Sequence, residues 1–331
     1  MPETRKILVI QTASIGDVIL STPLIESLAD SFPAAQIDFL LKKGIEPLMH
    51  NHPRLNNIWV WDKKSSKILN LLKLINRIRK EKYDIVINVQ RFFSSGLITA
   101  NSGAGIRAGF DKNPLSFFYT HKTKHNIGQK GLHEVDRNLS LLSGIAGKVS
   151  RKVRLYPSDS DFKEVIHYKE YPFICIAPAS LWFTKQFPRE KWIEFIDSVD
   201  EKIMVYMLGS AADAGLCENI IQAVRRKGIR NLAGKLTFLQ SAALMKDARM
   251  NFVNDSAPLH FASSVNAPVT AIFCSTVTDF GFGPLSDDSA VVETALNLTC
   301  RPCGLHGYRE CPEKHFKCAV TIDNSNLLNR L

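Results

Sequence analysis

No stretch of this 331-residue chain holds the ~18 consecutive apolar residues that a membrane-spanning helix needs. The first apolar run, Ile7-Leu8-Val9-Ile10, is too short for a signal-peptide core, and no small-residue cleavage site follows it. The expectation is a cytoplasmic protein. No 20–50-residue repeat and no low-complexity tract occurs, which argues against solenoids and biased linkers. The glycine fingerprint of dinucleotide binding is also missing: no G-x-G-x-x-G follows the first strand pattern, and Gly103-Ala-Gly105-Ile-Arg-Ala-Gly109 has the wrong spacing and position. Acidic residues are in short supply, 32 against 42 Lys and Arg, for a net charge of +10. That excess suits an anionic partner such as nucleic acid, a membrane face or a charged substrate, or else serves solubility alone.

What remains is an ordinary globular composition, 45% hydrophobic and 22% charged, on a chain long enough for about two domains. Short apolar runs alternate with helical patterns. Strands are expected at Lys6–Gln11, Gln36–Leu41, Asn57–Trp61, Asp84–Gln90 and Arg107–Phe110, with helices at Asp17–Ser31, Ser66–Lys82 and His133–Ser143. A polar stretch with Pro157, GKVSRKVRLYPSDS, interrupts the pattern. It resumes with strands at Phe173–Ala177, Lys202–Gly209, Ile229–Leu232, Met250–Asn254, Val269–Phe273 and Ala290–Val292. Helices are expected between them at Arg189–Val199, Ala214–Lys227, Phe238–Asp247 and Ala257–Val265. Strands separated by helices of ten or so residues mean βαβ units and parallel sheets. The expected class is α/β: two Rossmann-like domains, 1–155 and 156–331, across a cleft, with ligands at the carboxyl ends of the strands.

Four motifs carry chemistry. Ser14-Ile15-Gly16-Asp17 joins the first strand to the first helix. Locally Asp17 reads as a helix-capping acid; functionally it reads as a general base. The loop Ala177–Trp192 offers Ser180, Thr184 and Lys185, two hydroxyls and a cation suited to a phosphate or diphosphate, or else a solvated loop anchored by Trp182, Phe183 and Phe187. Asp255 and Ser256 open a helix that carries His260, and free N–H groups there suit an anion, although a capping pair on a core helix gives the same pattern. Cys300, Cys303, Cys311 and Cys318 lie close together near His306 and His315, so a structural zinc site and reduced thiols are both open. The scattered Cys175, Cys217 and Cys274 read as buried thiols.

Basic residues concentrate in the first half. Lys63, Lys64, Lys67, Lys73, Arg77, Arg79, Lys80 and Lys82 line a helix whose other face is Ile68, Leu71, Leu72, Ile75 and Ile78. Such a helix lies on an anionic membrane or packs on its own sheet. The segment Asp111–Gly131, with Pro114-Leu-Ser-Phe-Phe-Tyr119 at its tip, reads as a binding loop.

In order along the chain, ILVIQTASIGDVILSTPLIESLADSFPAAQIDFLL, KYDIVINVQ with IRAGFD, HEVDRNLSLL, IAPASLWFTKQFPREKW and LAGKLTFLQSAALMKDARMNFVNDSAPLHFASSVNAPVTAIF resemble the bacterial ADP-heptose:lipopolysaccharide heptosyltransferases, glycosyltransferase family nine. The Cys-rich tail resembles that of heptosyltransferase II-type members. The resemblance implies a GT-B fold with the nucleotide sugar in the second domain and the acceptor in the first. It implies inverting transfer of heptose from ADP-heptose to the lipopolysaccharide inner core, with no cofactor for the chemistry. Asp17 aligns with the catalytic base. Ser180, Thr184, Lys185, Asp213, Asp255, Ser256, Ala257 and His260 fall on the donor side, and Ser14, Lys64, Arg91 and Arg107 on the acceptor side. The chain departs from the family pattern at Leu181, where a hydroxyl is expected, at Ala257, where a Gly is expected, and at Asn88-Val-Gln-Arg91. The implied partners are ADP-heptose, an anionic lipopolysaccharide precursor and the cytoplasmic face of the inner membrane, not nucleic acid. Two other classes stand beside this one. The missing fingerprint argues against an NAD(P)-dependent oxidoreductase, and the absence of any RNA or DNA motif argues against a basic nucleic-acid module.

Overall fold

Apolar runs of four or five residues between turns form the central strands. β1 (Lys6–Ile10) and β2 (Gln36–Lys42) are buried along most of their length, as a sheet covered on both faces requires. The chain, seen in a computed structural model that describes residues 5–128 and 131–331, divides into two units, 1–156 and 157–331.

The first unit continues with β3 (Asn57–Trp61), β4 (Ile85–Asn88), β5 (Ile106–Phe110) and β6 (His121–Thr123). Its helices are α1 (Ile15–Ser31), α2 (Lys67–Lys80), α3 (Phe93–Asn101) and α4 (Glu134–Ser140). The strand order is β3-β2-β1-β4-β5-β6, every neighbouring pair parallel. α1 packs with α4, and α2 packs with α3.

The second unit repeats the plan. Its strands are β7 (Phe173–Ala177), β8 (Met204–Met207), β9 (Ile229–Asn231), β10 (Met250–Asn254), β11 (Val269–Phe273) and β12 (Ser289–Glu293). The order β12-β11-β10-β7-β8-β9 is again parallel throughout. The helices are α5 (Asp159–Val165), α6 (Arg189–Asp197), α7 (Ala214–Ile221), α8 (Phe238–Lys246), α9 (Ala257–Ser264), α10 (Lys317–Val320) and α11 (Ser325–Leu328). One core joins Trp192, Phe195 and Phe252 to Ala319, Ile322 and Leu327, so the tail is part of this unit's interior.

Each sheet has one place where the chain reverses direction across it: between β1 and β4, and between β7 and β10. In doubly wound folds ligands bind outside the carboxyl ends of the strands at such a switch point. This topology selects which loops matter.

Several elements differ from the pattern-based expectation. α3 was not anticipated, because FSSGLITAN is rich in weak helix formers. Its Gly96 is there for space: a Cβ at that position would fall 2.2 Å from the Asn113 side-chain oxygen. α7 ends at Ile221 instead of Lys227, and beyond it the Arg226 guanidinium turns onto the carbonyls of Val199 and Ile203. α2 keeps Leu71, Leu74 and Ile78 in the core but leaves Ile68 and Leu72 exposed, against the expected packing face. In the segment 111–131, Gln129 and Lys130 lie outside the described residues; the rest holds a 3₁₀ turn at Ser116–Phe118 and the strand β6.

Candidate active site

In the first unit, α1 starts directly after β1. Ser14 is its N-cap, and the Asp17 Oδ2 accepts hydrogen bonds from the Ser14 amide at 3.0 Å and hydroxyl at 2.6 Å. The same Ser-x-x-Asp box recurs at Ser158/Asp161 and Ser210/Asp213 with nearly the same distances. The box is therefore a capping device and assigns no chemistry by itself. Position separates the three. Asp17 follows β1 at the switch point, whereas no strand runs directly into the helix headed by Ser158. Asp17 Oδ1 makes no hydrogen bond among the described residues, so one oxygen is fixed and the other is free. Glu134 lies close enough to feel it: burial pushes the Glu134 carboxyl up, the Arg137 guanidinium draws it down, and the charge of Asp17 adds to the rise. Arg137 and Glu134 form a buried pair at 2.7 Å, and Asn138 binds the Leu20 carbonyl at 3.1 Å, so α4 braces α1.

A polar network edges this rim. Thr12 Oγ1 donates to Gln90 Oε1 at 2.6 Å, and Gln90 Nε2 donates to Gln11 Oε1 at 2.9 Å. Lys63 Nζ donates to the Thr12 carbonyl and contacts the Thr12 hydroxyl, both at 2.8 Å. Burial, with Lys42 and Lys67 nearby, lowers the Lys63 ammonium to about 8. Sequence reasoning grouped Lys63 with a surface helix and passed over Thr12 and Gln90. The legible signal was their place just past β3, β1 and β4. Lys64 and Arg91 are exposed beyond β3 and β4, on the same rim. Arg107 is a correction. It lies at the amino end of β5, and its guanidinium donates to the carbonyls of Phe118 and Ala104. Strand direction carries it to the opposite edge of the sheet from Asp17.

In the second unit, Ser180, Lys185, Asp255 and Ser256, expected on the donor side, follow β7 and β10 at the switch point, while Asp213 follows β8. Lys185 Nζ pairs with Asp255 Oδ2 at 2.6 Å, and both side chains are largely buried. Thr276, just past β11, donates to the same oxygen at 2.6 Å. Asn254 stitches the two loops together: its Nδ2 donates to the Pro178 carbonyl at 2.7 Å, and its Oδ1 accepts from the Phe187 amide at 3.0 Å. Ser256 is the N-cap of α9, yet its side chain caps no helix amide. Its hydroxyl leans toward the carbonyls of Asn254 and Ala179 at 3.4 and 3.5 Å. At the α9 start the Ala257 N–H is left uncapped beside the Lys185–Asp255 pair, whereas Pro258 has no N–H and the Leu259 N–H donates to the Ser256 carbonyl at 3.1 Å. Ser180 is half-exposed on the same loop, while His260 is buried inside α9. Asp213 follows β8, its Oδ2 held by Ser210.

These features describe a largely buried Lys–Asp pair at a helix start in one unit and a fixed carboxylate in the other. Residues 71–315 match the family described as Glycosyltransferase family 9 (heptosyltransferase). The chain belongs to glycosyltransferase family 9. Lipopolysaccharide heptosyltransferase 3 of Escherichia coli (strain K12) is 30% identical over 284 residues, spanning 79% of this chain and 80% of that protein. Lipopolysaccharide heptosyltransferase 2 of the same strain is 25% identical over 347 residues, 98% of this chain and 97% of that one. The solved structure of E. coli ADP-heptose lps heptosyltransferase II superposes with a TM-score of 0.81 at 22% identity, covering 98% of this chain and 97% of that one. The two parallel sheets are thus those of a GT-B glycosyltransferase.

In this glycosyltransferase two of the residues expected on the donor side are engaged within the protein. The Thr184 hydroxyl is turned into the interior. It accepts from the Tyr308 amide at 2.8 Å and from Ser275 Oγ at 3.0 Å. The Asp255 carboxylate likewise has partners within the protein, Lys185 and Thr276. The tail supports this loop from behind. Gly307, at φ +78°, packs so closely that a Cβ would fall 2.9 Å from Thr184 Oγ1 and 3.0 Å from Lys185 Cγ. Arg301 donates to the carbonyls of Cys274 and Thr276, both at 2.8 Å, and Cys303 N–H donates to Ser275 O at 2.8 Å.

All seven cysteines are free. Burial pushes the thiol of Cys217 up to about 12 and raises those of Cys175 and Cys274 further. Cys300 Sγ lies 3.9 Å from His315 Nε2, and Cys311 Sγ accepts the Phe316 amide at 3.4 Å. Among the described residues no three His, Cys, Asp or Glu side chains converge to hold a metal ion. The tail meets the Thr184–Lys185 turn through Tyr308 and Gly307, and the end of β11 through Arg301.

Proposed function

We propose that this glycosyltransferase moves a heptose from ADP-heptose to the lipopolysaccharide inner core, with inversion, at the cytoplasmic face of the inner membrane. The observation that carries this reading is the Lys185–Asp255 pair beside the open start of α9, at the switch point of a family 9 chain. The relatives named heptosyltransferase 3 and 2 supply the sugar and the acceptor class.

In the proposed reaction the acceptor hydroxyl gives its proton to Asp17 Oδ1. Its oxygen then forms a bond to the anomeric carbon while the carbon–oxygen bond to the diphosphate breaks. ADP leaves with that electron pair, and the charge gathering on it is met by Lys185 and the Ala257 N–H at the start of α9. Ser180 lies beside the same loop, and Asp213 is the acid we assign to the ribose. In this scheme a fixed lysine and the first N–H of α9 supply the leaving-group stabilisation.

A thermal-shift comparison of ADP-heptose with UDP-, GDP- and CDP-sugars tests it. ADP-heptose is expected to raise Tm selectively, since ligand at about 100 times its Kd adds ~2.7 kcal/mol. A larger shift with another nucleotide sugar would overturn the donor assignment.

Lys63 yields a pH prediction on the acceptor side. With its pKa near 8, the ammonium is charged below that pH and neutral above it. An anionic acceptor therefore loses one cationic contact as pH rises from about 7 to about 9, and its KM is expected to climb roughly tenfold. The ADP-heptose KM should stay level. Lys63→Met should abolish the step; an unchanged profile in that variant would remove Lys63 from acceptor binding.

A further inference from the structure

The first half of α2 has two apolar faces and only one core to pack against. Leu71, Leu74 and Ile78 are buried, while Ile68, Leu69 and Leu72 remain 71%, 60% and 53% exposed. Beside this helix packs α3, whose N-cap Phe92 and first residue Phe93 are 62% and 57% exposed. Both helices begin at the carboxyl ends of their strands, the rim that carries Asp17. Lys64, Lys67, Lys73 and Arg91 are exposed among these side chains, and residues 63–80 contain no acid.

Building on the proposed transfer to a lipopolysaccharide precursor, we propose that Ile68, Leu69, Leu72, Phe92 and Phe93 form an in-plane docking surface for a bilayer of anionic lipids. Aliphatic and aromatic side chains enter the acyl–headgroup boundary while the lysines meet lipid phosphates. Charge complementarity selects this occupant. A second copy of the chain, paired on the same patch about a two-fold axis, would set one basic strip against the other. A bilayer gives the apolar side chains a nonpolar phase and the bases a counter-charge at once. The placement also suits the chemistry, since an amphiphilic acceptor held in that bilayer would present its sugar to the rim.

Co-sedimentation with vesicles tests the surface without any sugar transfer. The full chain is expected to bind phosphatidylcholine vesicles containing phosphatidylglycerol at least tenfold more tightly than phosphatidylcholine alone, and raised salt should weaken the binding. Ile68→Ser/Leu69→Ser/Leu72→Ser should reduce it at least tenfold, and Lys67→Gln/Lys73→Gln by about fivefold per lysine. The triple variant changes only exposed positions, and its transfer to a delipidated, water-soluble acceptor should match that of the unaltered chain. Equal vesicle binding by the triple variant would overturn the proposal. So would a dimer in light scattering that the triple substitution converts to monomer, which would assign the patch to a second copy. Failure to bind vesicles with transfer intact would reject the surface alone; failure of transfer to the soluble acceptor would reject the underlying activity.

Discussion

Asp17→Asn is expected to lower kcat by about three orders of magnitude while leaving the Kd for ADP-heptose unchanged. A positioned general base contributes ~10²–10⁴ in rate, and the amide removes that capacity without removing an acceptor for the cap. The Asn side-chain oxygen can still take the Ser14 amide and hydroxyl that Oδ2 takes now. Helix α1 should therefore keep its start, and Tm should move little. Asp161→Asn is the matched control, because its carboxylate makes the same two bonds to Ser158. It should leave kcat near that of the unaltered chain. Equal losses from both variants would mean that the effect is loss of a cap. Near-normal turnover of Asp17→Asn would mean that the base lies elsewhere.

That comparison also shows why some of the site was legible in the sequence and some was not. The central strands are short buried apolar runs, and the helices between them carry recognisable starts, so two parallel-sheet domains follow from element order, while the switch points come from the strand order of the structure. Asp17, Lys185 and the Asp255-Ser256 start all lie within a few residues of a strand's carboxyl end, which places them on a rim before any distance is known. Direction and partner are different matters. Arg107 opens its strand in the sequence pattern and is second in the observed one, so strand direction alone puts it at the amino end, away from the rim. Thr184 looked like a ligand-facing hydroxyl, but its partner Tyr308 is 124 residues away in the chain. Asp255 reads as a donor contact, and nothing local in the sequence shows that its carboxylate pairs with Lys185, 70 positions earlier, and with Thr276. Such long-range pairings leave no periodic trace. Neither does the tail's packing against Lys185, which only the crowded Gly307 reveals.

The second large effect separates grip from stability. Lys185→Met should weaken ADP-heptose binding and lower kcat as well, since the lysine meets the diphosphate in the ground state and more strongly as charge gathers on ADP. It should also destabilise the second unit by about 3 kcal/mol, because Asp255 is left buried without its cation. These two losses have different remedies. Adding Asp255→Asn to Lys185→Met removes the stranded charge, and Thr276 keeps a hydrogen-bond partner at the amide. The double variant should recover most of the lost Tm, as buried pairs replaced on both sides are often close to neutral. Its ADP-heptose affinity and kcat should stay low. Lys185→Arg keeps charge but not shape, and the 2.6 Å contact beside Gly307 leaves little room for a guanidinium, so partial recovery of binding with poor turnover is expected. Calorimetric binding of ADP-heptose and thermal unfolding on the same four proteins read the two quantities separately. If the double variant regained affinity along with Tm, the lysine would be a structural residue, and the diphosphate grip would have to rest on the start of α9 alone.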